Sequence, residues 1–493
     1  MNTLRPILLL CAVLALPALG NAFCGFYVAK ADKRLFNQAS EVILARDGDR
    51  TVVTMSNDFQ GDVRDFAMVV PVPVVLDRND IEVVDRYIFD KLDAYSGPRL
   101  VEYHDQNPCA RYELYNQSAP MGGSARLDAV SVAQDAEIEE EYSVTIEAEY
   151  TVGEYDILIL SAEESDGLKR WLTDNDYTIP DDAHEVLDPY IRNGLKFFVV
   201  KVNLDEQEAL GFETLRPIRI RYESKRFMLP IRLGMANADG PQDLIIYAMT
   251  PKGRVETTNY RTVEIPTDKE IPTFVEDQFG PFYADLFTKA YKRNQRESVF
   301  VEYAWDLSSS NYTKCDPCAT TPPTYGELAD AGVSWVEYRP ASGWQGTDYE
   351  GDVFFTRLHV RYDREHFPMD LQFQTTPNRQ SFQGRYVMNH MVEGRLDCSA
   401  AAAYYRDVLD RREGELDQLA WLTGWDLDEY DDYIDQVERR LDRTETGTRR
   451  DRNWVPVFGR PGGGGGPGPG WVALLLLTLM PASLLFLRRR ILS

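Results

Sequence analysis

Residues 41–57 read EVILARDGDRTVVTMSN, and this stretch decides how the chain folds. Two runs rich in Val and Ile flank a polar turn at residues 47–49, where Gly48 permits the positive φ that tight hairpin turns require. The stretch therefore predicts a β-hairpin. Working outward, the apolar run AMVVPVPVVL at residues 67–76 predicts a fully buried strand that its two prolines end, because proline has no backbone donor.

Further strands follow towards the C-terminus. Residues 142–152 and 155–161 predict a second hairpin around Gly153. Four more strands are predicted for the stretches KFFVVKVNL (196–204), LRPIRIRYES (215–224), FMLPIRLG (227–234) and QDLIIYAMT (242–250). Apolar and charged residues alternate most clearly in IRIRYES, which predicts an antiparallel sheet with one face in water.

Helical patterns occur between the strands and after them. They cover the stretches 85–95, 163–175, 182–193, 277–292 and 400–442. Strands interrupted by helices, without a regular βαβ rhythm, predict an α+β fold that is mostly antiparallel β. The last helical stretch is strongly charged and has one apolar face. We expect this face to close the domain, with contact to a partner protein as the alternative.

The composition is acidic and rich in apolar residues. Of 493 residues, 79 are acidic and 53 basic, which gives a formal net charge of −26. This balance argues against a nucleic-acid partner, because phosphate backbones demand patches of Lys and Arg. Hydrophobic residues make up 44% of the chain, enough for sizeable cores.

The N-terminal end predicts export. Residues 1–22 combine Arg5 in a short basic region, an apolar core at residues 7–16 and small residues before a cleavage position after Ala22. This is the pattern of a secretory signal peptide.

The C-terminal end predicts a membrane anchor. The uncharged apolar run from Trp471 to Leu487 has 17 residues, close to the roughly 20 that a bilayer core requires. A basic cluster follows it, which marks the cytoplasmic side: Arg488, Arg489 and Arg490. We expect a single-pass protein of the bacterial inner membrane whose folded body lies in the periplasm.

These features divide the chain into seven parts. They are a signal peptide (1–22), a β-rich part (23–140), a second β-rich part with inserted helices (141–400), a charged amphipathic helical segment (401–443), a Gly/Pro-rich linker (444–470), a transmembrane helix (471–487) and a basic cytoplasmic tail (488–493).

The cysteines predict disulfides. Five remain after removal of the signal peptide: Cys24, Cys109, Cys315, Cys318 and Cys398. Because exported proteins meet an oxidising compartment, we expect two disulfides, in a pairing that the sequence leaves open. Cys315 and Cys318 form a CDPC motif that serves either a structural disulfide or thiol–disulfide exchange. We favour the structural disulfide, because redox catalysis needs the motif at a helix N-terminus and here a polar loop surrounds it.

No other pattern assigns a catalytic, cofactor-binding or metal-binding residue. The five histidines show no HExxH spacing, and the sequence has neither a GxSxG elbow nor a phosphate-binding glycine loop. The acidic clusters at residues 181–182 and 426–432 lack the spacing of a calcium loop and are interpreted as solvated surface. No cofactor is therefore predicted.

Three blocks of the sequence resemble the DUF2330 family of bacterial exported proteins. They are FCGFYVAKADKRLFNQASEVILARDGDRTVVTMSNDFQGDVRDFAMVVPVPVVL (23–76), LDAYSGPRLVEYHDQNPC (92–109) and the CDPC motif (315–318). The resemblance covers most of residues 23–440. It implies no activity, ligand or catalytic residue, because the family is named for its unknown function.

The tail separately resembles a GlyGly-CTERM sorting segment. Glycines at residues 462–466, the apolar run and the arginines follow in the same order. The resemblance implies a rhomboid-type protease as a partner, which would cut the tail and release the body to the cell surface. Pro467 stands where a small serine usually follows the glycines, so a simple anchor is favoured over sorting.

Together these patterns predict a non-enzymatic envelope protein that acts by binding or assembly, with another envelope protein as its partner. The alternative is an envelope enzyme. It would be either a thiol–disulfide protein that uses Cys315 and Cys318 or a hydrolase of unfamiliar motif.

Overall fold

A computed structural model describes residues 26–27, 36–37, 40–56, 59–60, 67–110, 144–175, 183–210, 215–237, 240–310, 321–341 and 347–452. The predicted signal peptide, Cys24, the CDPC motif and the predicted membrane anchor lie outside these residues. Among the described helices, none has the length and apolar composition that a membrane crossing requires.

The described residues form 24 strands: β1 (Phe26–Tyr27), β2 (Phe36–Asn37), β3 (Ser40–Asp47), β4 (Arg50–Ser56), β5 (Phe59–Gln60), β6 (Ala67–Val72), β7 (Ile81–Val83), β8 (Arg99–His104), β9 (Val144–Val152), β10 (Tyr155–Ala162), β11 (Lys196–Val202), β12 (Ile218–Glu223), β13 (Met228–Leu229), β14 (Gln242–Thr250), β15 (Val255–Thr257), β16 (Arg261–Glu264), β17 (Lys269–Glu270), β18 (Ser298–Asp306), β19 (Glu337–Tyr338), β20 (Tyr349–Glu350), β21 (Phe354–Tyr362), β22 (Leu371–Thr375), β23 (Phe382–Gln383) and β24 (Arg385–His390). They also form eight α-helices: α1 (Tyr87–Ser96), α2 (Ser165–Asp174), α3 (Ala183–Arg192), α4 (Leu204–Leu210), α5 (Phe279–Arg293), α6 (Tyr325–Asp330), α7 (Ala401–Thr423) and α8 (Asp431–Arg452). The α+β prediction is thus confirmed.

The central sheet is built around the first predicted hairpin, β3–β4. Its strands lie in the order β16-β18-β21-β14-β3-β4-β12-β7, with β23 beside β18. The hairpin turns at Gly48, whose φ is 56°, as the positive-φ argument requires. Most pairs are antiparallel, but β14 runs parallel to β3, and β16 runs parallel to β18.

A second sheet packs against one face of the central sheet. It has the order β1-β6-β11-β10-β9 and contains the second predicted hairpin, β9–β10, which turns at Gly153. Apolar side chains of both sheets share one core, with Leu44 and Ile246 from the central sheet and Val70 and Phe198 from the second. Helices α2 and α3 cover the outer face of the second sheet. Strands from before and after the predicted boundary at residue 140 occur in both sheets.

The other face of the central sheet is not in water, so the prediction of one wet face is wrong. Arg219, which the alternation in IRIRYES placed on that face, is only 4% exposed. Its Nε donates to Thr54 Oγ1 at 3.2 Å, and its guanidinium also pairs with Glu82 and with the backbone carbonyl of Asp330 at the end of α6. Helices α1, α5 and α6 cover most of this face, so Arg219 is buried in polar contacts, whereas Glu223 at the end of β12 stays exposed.

Helices α7 and α8 form an antiparallel pair that we call the helical hairpin. The helical stretch predicted over 400–442 forms two helices, because Gly424 adopts a left-handed conformation (φ 85°) and Asp426 starts a new turn by accepting from the Asp428 backbone N–H at 3.2 Å. The apolar face of α8 turns inward, since Val437 is fully buried against α7. The face therefore closes the fold, as expected.

Candidate functional site

Two of the five candidate cysteines are joined to each other. Cys109 and Cys398 form a disulfide with a Cα–Cα distance of 5.6 Å, which links the segment after β8 to the segment before α7. Cys24, Cys315 and Cys318 lie outside the described residues, so the thiol–disulfide alternative stays a prediction.

On the covered face of the central sheet, His359 lies between two carboxylates. Its Nδ1 is 2.6 Å from Glu302 Oε1, and its Nε2 is 3.2 Å from Asp243 Oδ1. Its ring stacks on Phe287 of α5 with the centroids 3.7 Å apart. Arg361 donates to both Asp243 oxygens at 2.8 Å. We call these groups, together with Arg357, the ionic network.

Glu302 is the centre of the ionic network. Arg357 Nε donates to its Oε2 at 2.7 Å, and the Tyr283 hydroxyl of α5 donates to its Oε1. Burial alone would raise the pKa of Glu302, but the charges of His359 and Arg357 lower it to about 2. Arg357 Nη1 also donates to Asp93 of α1 at 2.6 Å. The network therefore fastens α1 and α5 to the sheet.

The side chains of the ionic network are held mainly by one another. Both ring nitrogens of His359 already have carboxylate partners, and neither of the two cavities described below is lined by the network. Glu302 and Asp243 lie on opposite sides of the imidazole, so they cannot meet on one ion. In the described part of the chain, no group of His, Cys, Asp and Glu side chains is placed to hold a metal ion.

A cavity of about 490 Å³ opens between α3 and the short strands β13 and β22, and we call it the α3 cavity. Its volume lies within the range of roughly 300–1,000 Å³ that is usual for small-molecule sites. Buried Tyr190, Leu195 and Phe373 form an apolar floor. The half-buried ring of Phe227 packs on Phe373 with centroids 5.2 Å apart.

Local sequence explains why this space is open. The predicted strand 227–234 is reduced to β13, because Pro230 has no backbone donor to continue the pairing. On the other side, α3 ends at Arg192, and Gly194, whose φ is 68°, turns the chain into β11. The two elements therefore diverge, and residues 225–228 line the gap.

Asp370 holds the floor of the α3 cavity together. Its Oδ1 accepts from the Tyr190 hydroxyl at 2.6 Å and from the backbone N–H groups of Ile231 at 3.0 Å and Arg232 at 3.3 Å. Burial raises the pKa of Asp370 despite these hydrogen bonds. The carboxylate is thus committed to α3 and to the chain after β13.

Three cations surround this floor. Lys225 and Arg226 are exposed and Arg232 is half-buried, and all three line the cavity. Arg226 donates to the Asn193 carbonyl at 3.3 Å, and the Arg232 guanidinium lies 5.9 Å from the Tyr190 ring centroid. Among the described residues, no carboxylate forms an ion pair with any of the three cations.

The sequence interpretation missed this site, although one signal was present. Residues 224–238 contain no Asp or Glu, in a chain where acidic residues outnumber basic ones by 79 to 53. This window holds three cations together with Phe227 and Met228, but residues 371–392 also lack Asp and Glu, so the signal is weak. Its partners on α3 and β22 are distant in sequence, so no local pattern shows that a cavity forms.

A second cavity of about 430 Å³ lies where the helical hairpin meets the body. Phe274 and Tyr430 stack there with centroids 4.4 Å apart, and Tyr433 and His390 also line it. The aromatic rings that line this cavity mainly pack on one another, so we interpret it as part of the contact between the helical hairpin and the rest of the fold.

Fold and site define a strand-rich α+β protein with a cation-rimmed, apolar-floored cavity. Residues 18–374 match the family described as "Uncharacterized protein conserved in bacteria (DUF2330)", and the chain belongs to this family. The matched residues include both sheets' long strands and the α3 cavity, whereas the helical hairpin follows them. Comparison with curated proteins and with solved structures finds no match.

Proposed function

We propose that this DUF2330 protein is exported, is held to the inner membrane by residues 471–487 and acts by binding an anionic ligand in the α3 cavity. The proposal depends on the three cations, none of which forms a direct ion pair with a carboxylate of the described residues. In a chain of net charge −26, nearby carboxylates normally neutralise surface cations, so a cluster left unpaired around a cavity attracts a negative group from outside.

The binding part is tested with the full-length mature protein in phosphatidylcholine nanodiscs. Calorimetric titration with phosphate and pyrophosphate should show binding that strengthens with ligand charge and weakens with added salt. The variant Lys225→Gln/Arg226→Gln/Arg232→Gln should lose at least about tenfold in affinity, the equivalent of one charge-assisted contact.

Arg395→Gln is the matched control, because Arg395 is exposed, pairs with Asp397 at 2.6 Å and does not line the cavity. Equal affinities for the wild type and the triple variant would remove the α3 cavity from the proposal.

The location is tested by the intact mass of the mature protein from fractionated cells. A mass that begins at Phe23 and retains residues 471–493, found in the membrane fraction, supports export and a permanent anchor. A mass ending near residues 462–466, in the outer fraction, supports sorting instead. A mass that retains residues 1–22 contradicts export.

The thiol–disulfide alternative depends on the state of the CDPC motif. Alkylation of Cys315 or Cys318 before any reductant is added would favour exchange chemistry. Protection that survives mild reductant would favour a structural disulfide.

A further inference from the structure

We infer that the ligand of the α3 cavity is an amphipathic anion, with one phosphate or carboxylate group joined to an apolar body. This inference rests on the proposed anion binding and specifies the apolar part of the ligand.

The apolar half of the ligand follows from the cavity floor. Leu195 and Phe373 are buried beneath the opening, and Met228 and Met369 line it from β13 and from the loop before β22. Met369 is 48% exposed although it is a large apolar residue. Methionine side chains adapt to apolar surfaces of different shape, so they suit a site that receives a flexible apolar group.

The charged half follows from the position of the cations. Arg226 and Arg232 approach the cavity from the chain on either side of β13, so a head group between them can meet both. Asp370 forms no direct ion pair with either arginine: its Oδ1 accepts from Tyr190 and two backbone donors, and the charge of Arg232 acts on the carboxylate without direct contact. A purely apolar ligand would leave these cations without a direct ion pair, and a bare inorganic anion would leave the apolar floor in water.

The size of the cavity makes the inference quantitative. With about 490 Å³ available, several methylene groups fit beside a head group. Each buried methylene adds about 0.8 kcal/mol, which converts to about fourfold in affinity. Affinity should therefore rise along a series of alkyl phosphates until the floor is filled.

The test titrates phosphate, ethyl phosphate, butyl phosphate, octyl phosphate below its micelle concentration, and neutral octyl glucoside. The protein is full length in phosphatidylcholine nanodiscs, and empty nanodiscs supply the background. We expect octyl phosphate to bind at least about tenfold more tightly than ethyl phosphate. Octyl glucoside should bind much more weakly.

Two variants separate the halves of the site. Arg226→Gln should weaken all the phosphates alike, whereas Met369→Ser should weaken octyl phosphate and leave inorganic phosphate unchanged. Arg395→Gln should change neither. The side chains of Arg226 and Met369 are both exposed, so neither change should prevent folding.

Equal affinity for phosphate and octyl phosphate would overturn the amphipathic inference while leaving the anion site intact. Absence of binding by every phosphate would overturn both. Adding phosphatidylglycerol to the nanodiscs distinguishes the source of the ligand, because competition with octyl phosphate identifies a lipid head group and lack of competition identifies a free amphiphile.

Discussion

Two buried glutamates, one in the part of the chain that matches the family and one in the helical hairpin, have pKa values shifted in opposite directions. For Glu302, burial raises the pKa, but contacts with His359 and Arg357 outweigh it and lower the pKa to about 2. For Glu415 on α7, burial raises the pKa to about 7, because the hydrogen bond from Tyr433 at 2.6 Å only partly offsets it. The distance to the cationic groups, rather than burial, distinguishes the two glutamates: Arg357 and His359 contact Glu302 at 2.7 and 2.6 Å, whereas Arg411 lies 3.5 Å from Glu415.

The two parts of the molecule should therefore depend on pH with opposite sign. The pKa of Glu302 falls from 4.5 on folding, so its contribution is present above pH 4.5 and is lost as pH falls towards about 2. The pKa of Glu415 rises from 4.5, so its contribution is present below pH 4.5 and is lost as pH rises through about 7. Neutral pH favours the body, and mild acid favours the helical hairpin.

The largest effect is expected for Glu302→Gln. The change removes the buried carboxylate that Arg357 and His359 share and leaves them only Asp93 and Asp243, so the free energy of unfolding at pH 7 should fall by about 3 kcal/mol. Urea denaturation at pH 7 and at pH 3 measures it, and the loss should be smaller at pH 3, where the wild type also begins to lose the charge.

Glu350→Gln is its control, because Glu350 forms an exposed pair with Arg339 at 3.3 Å on the same chain. That variant should change stability by no more than about 0.5 kcal/mol. A similar loss of stability in Glu302→Gln and Glu350→Gln would mean that the ionic network contributes no more to stability than an exposed ion pair.

A comparable or smaller effect is expected from removing the bond that ties the two parts together. The variant Cys109→Ser/Cys398→Ser should destabilise the protein by about 2–4 kcal/mol, because it frees a loop of 289 residues in the unfolded chain. Hydrogen exchange should accelerate in α7 and α8, while β3 and β4 serve as the internal reference. Uniform acceleration across the chain would show that the helical hairpin and the body unfold as one unit.

The smallest effect is expected for Glu415→Gln, and its sign is reversed. Arg411 Nε lies 3.5 Å from Glu415 Oε1, too far for a strong hydrogen bond, so the ionised carboxylate is poorly compensated. The variant should stabilise the helical hairpin by about 2 kcal/mol at pH 8 and have little effect at pH 4. Exchange of α7 amides at both pH values measures this, and destabilisation at pH 8 would contradict the reversed sign.

Local sequence patterns predicted the helices and strands better than the tertiary contacts that bury them. The two β-hairpins and helix α5 depend on neighbouring residues, and the sequence identified each of them. The burial of Arg219 could not be predicted, because its cover comes from α6, more than a hundred residues later in the chain. Arg357 likewise finds one of its partners, Asp93, 264 residues away. The α3 cavity was missed for the same reason, because α3 and β22 are distant in sequence from residues 225–232.

The parallel pairing of β14 with β3 has a kinetic consequence. The β3–β4 hairpin closes from local residues, but its outer neighbours β12 and β14 are synthesised only when residues 218–250 have been made. Contacts between distant segments form slowly, and until they form both edges of the hairpin expose unpaired backbone groups. A chain with this strand order exposes an unpaired, aggregation-prone strand edge during much of its synthesis. Chaperones that shield such edges should therefore raise the yield of folded protein without changing its final stability.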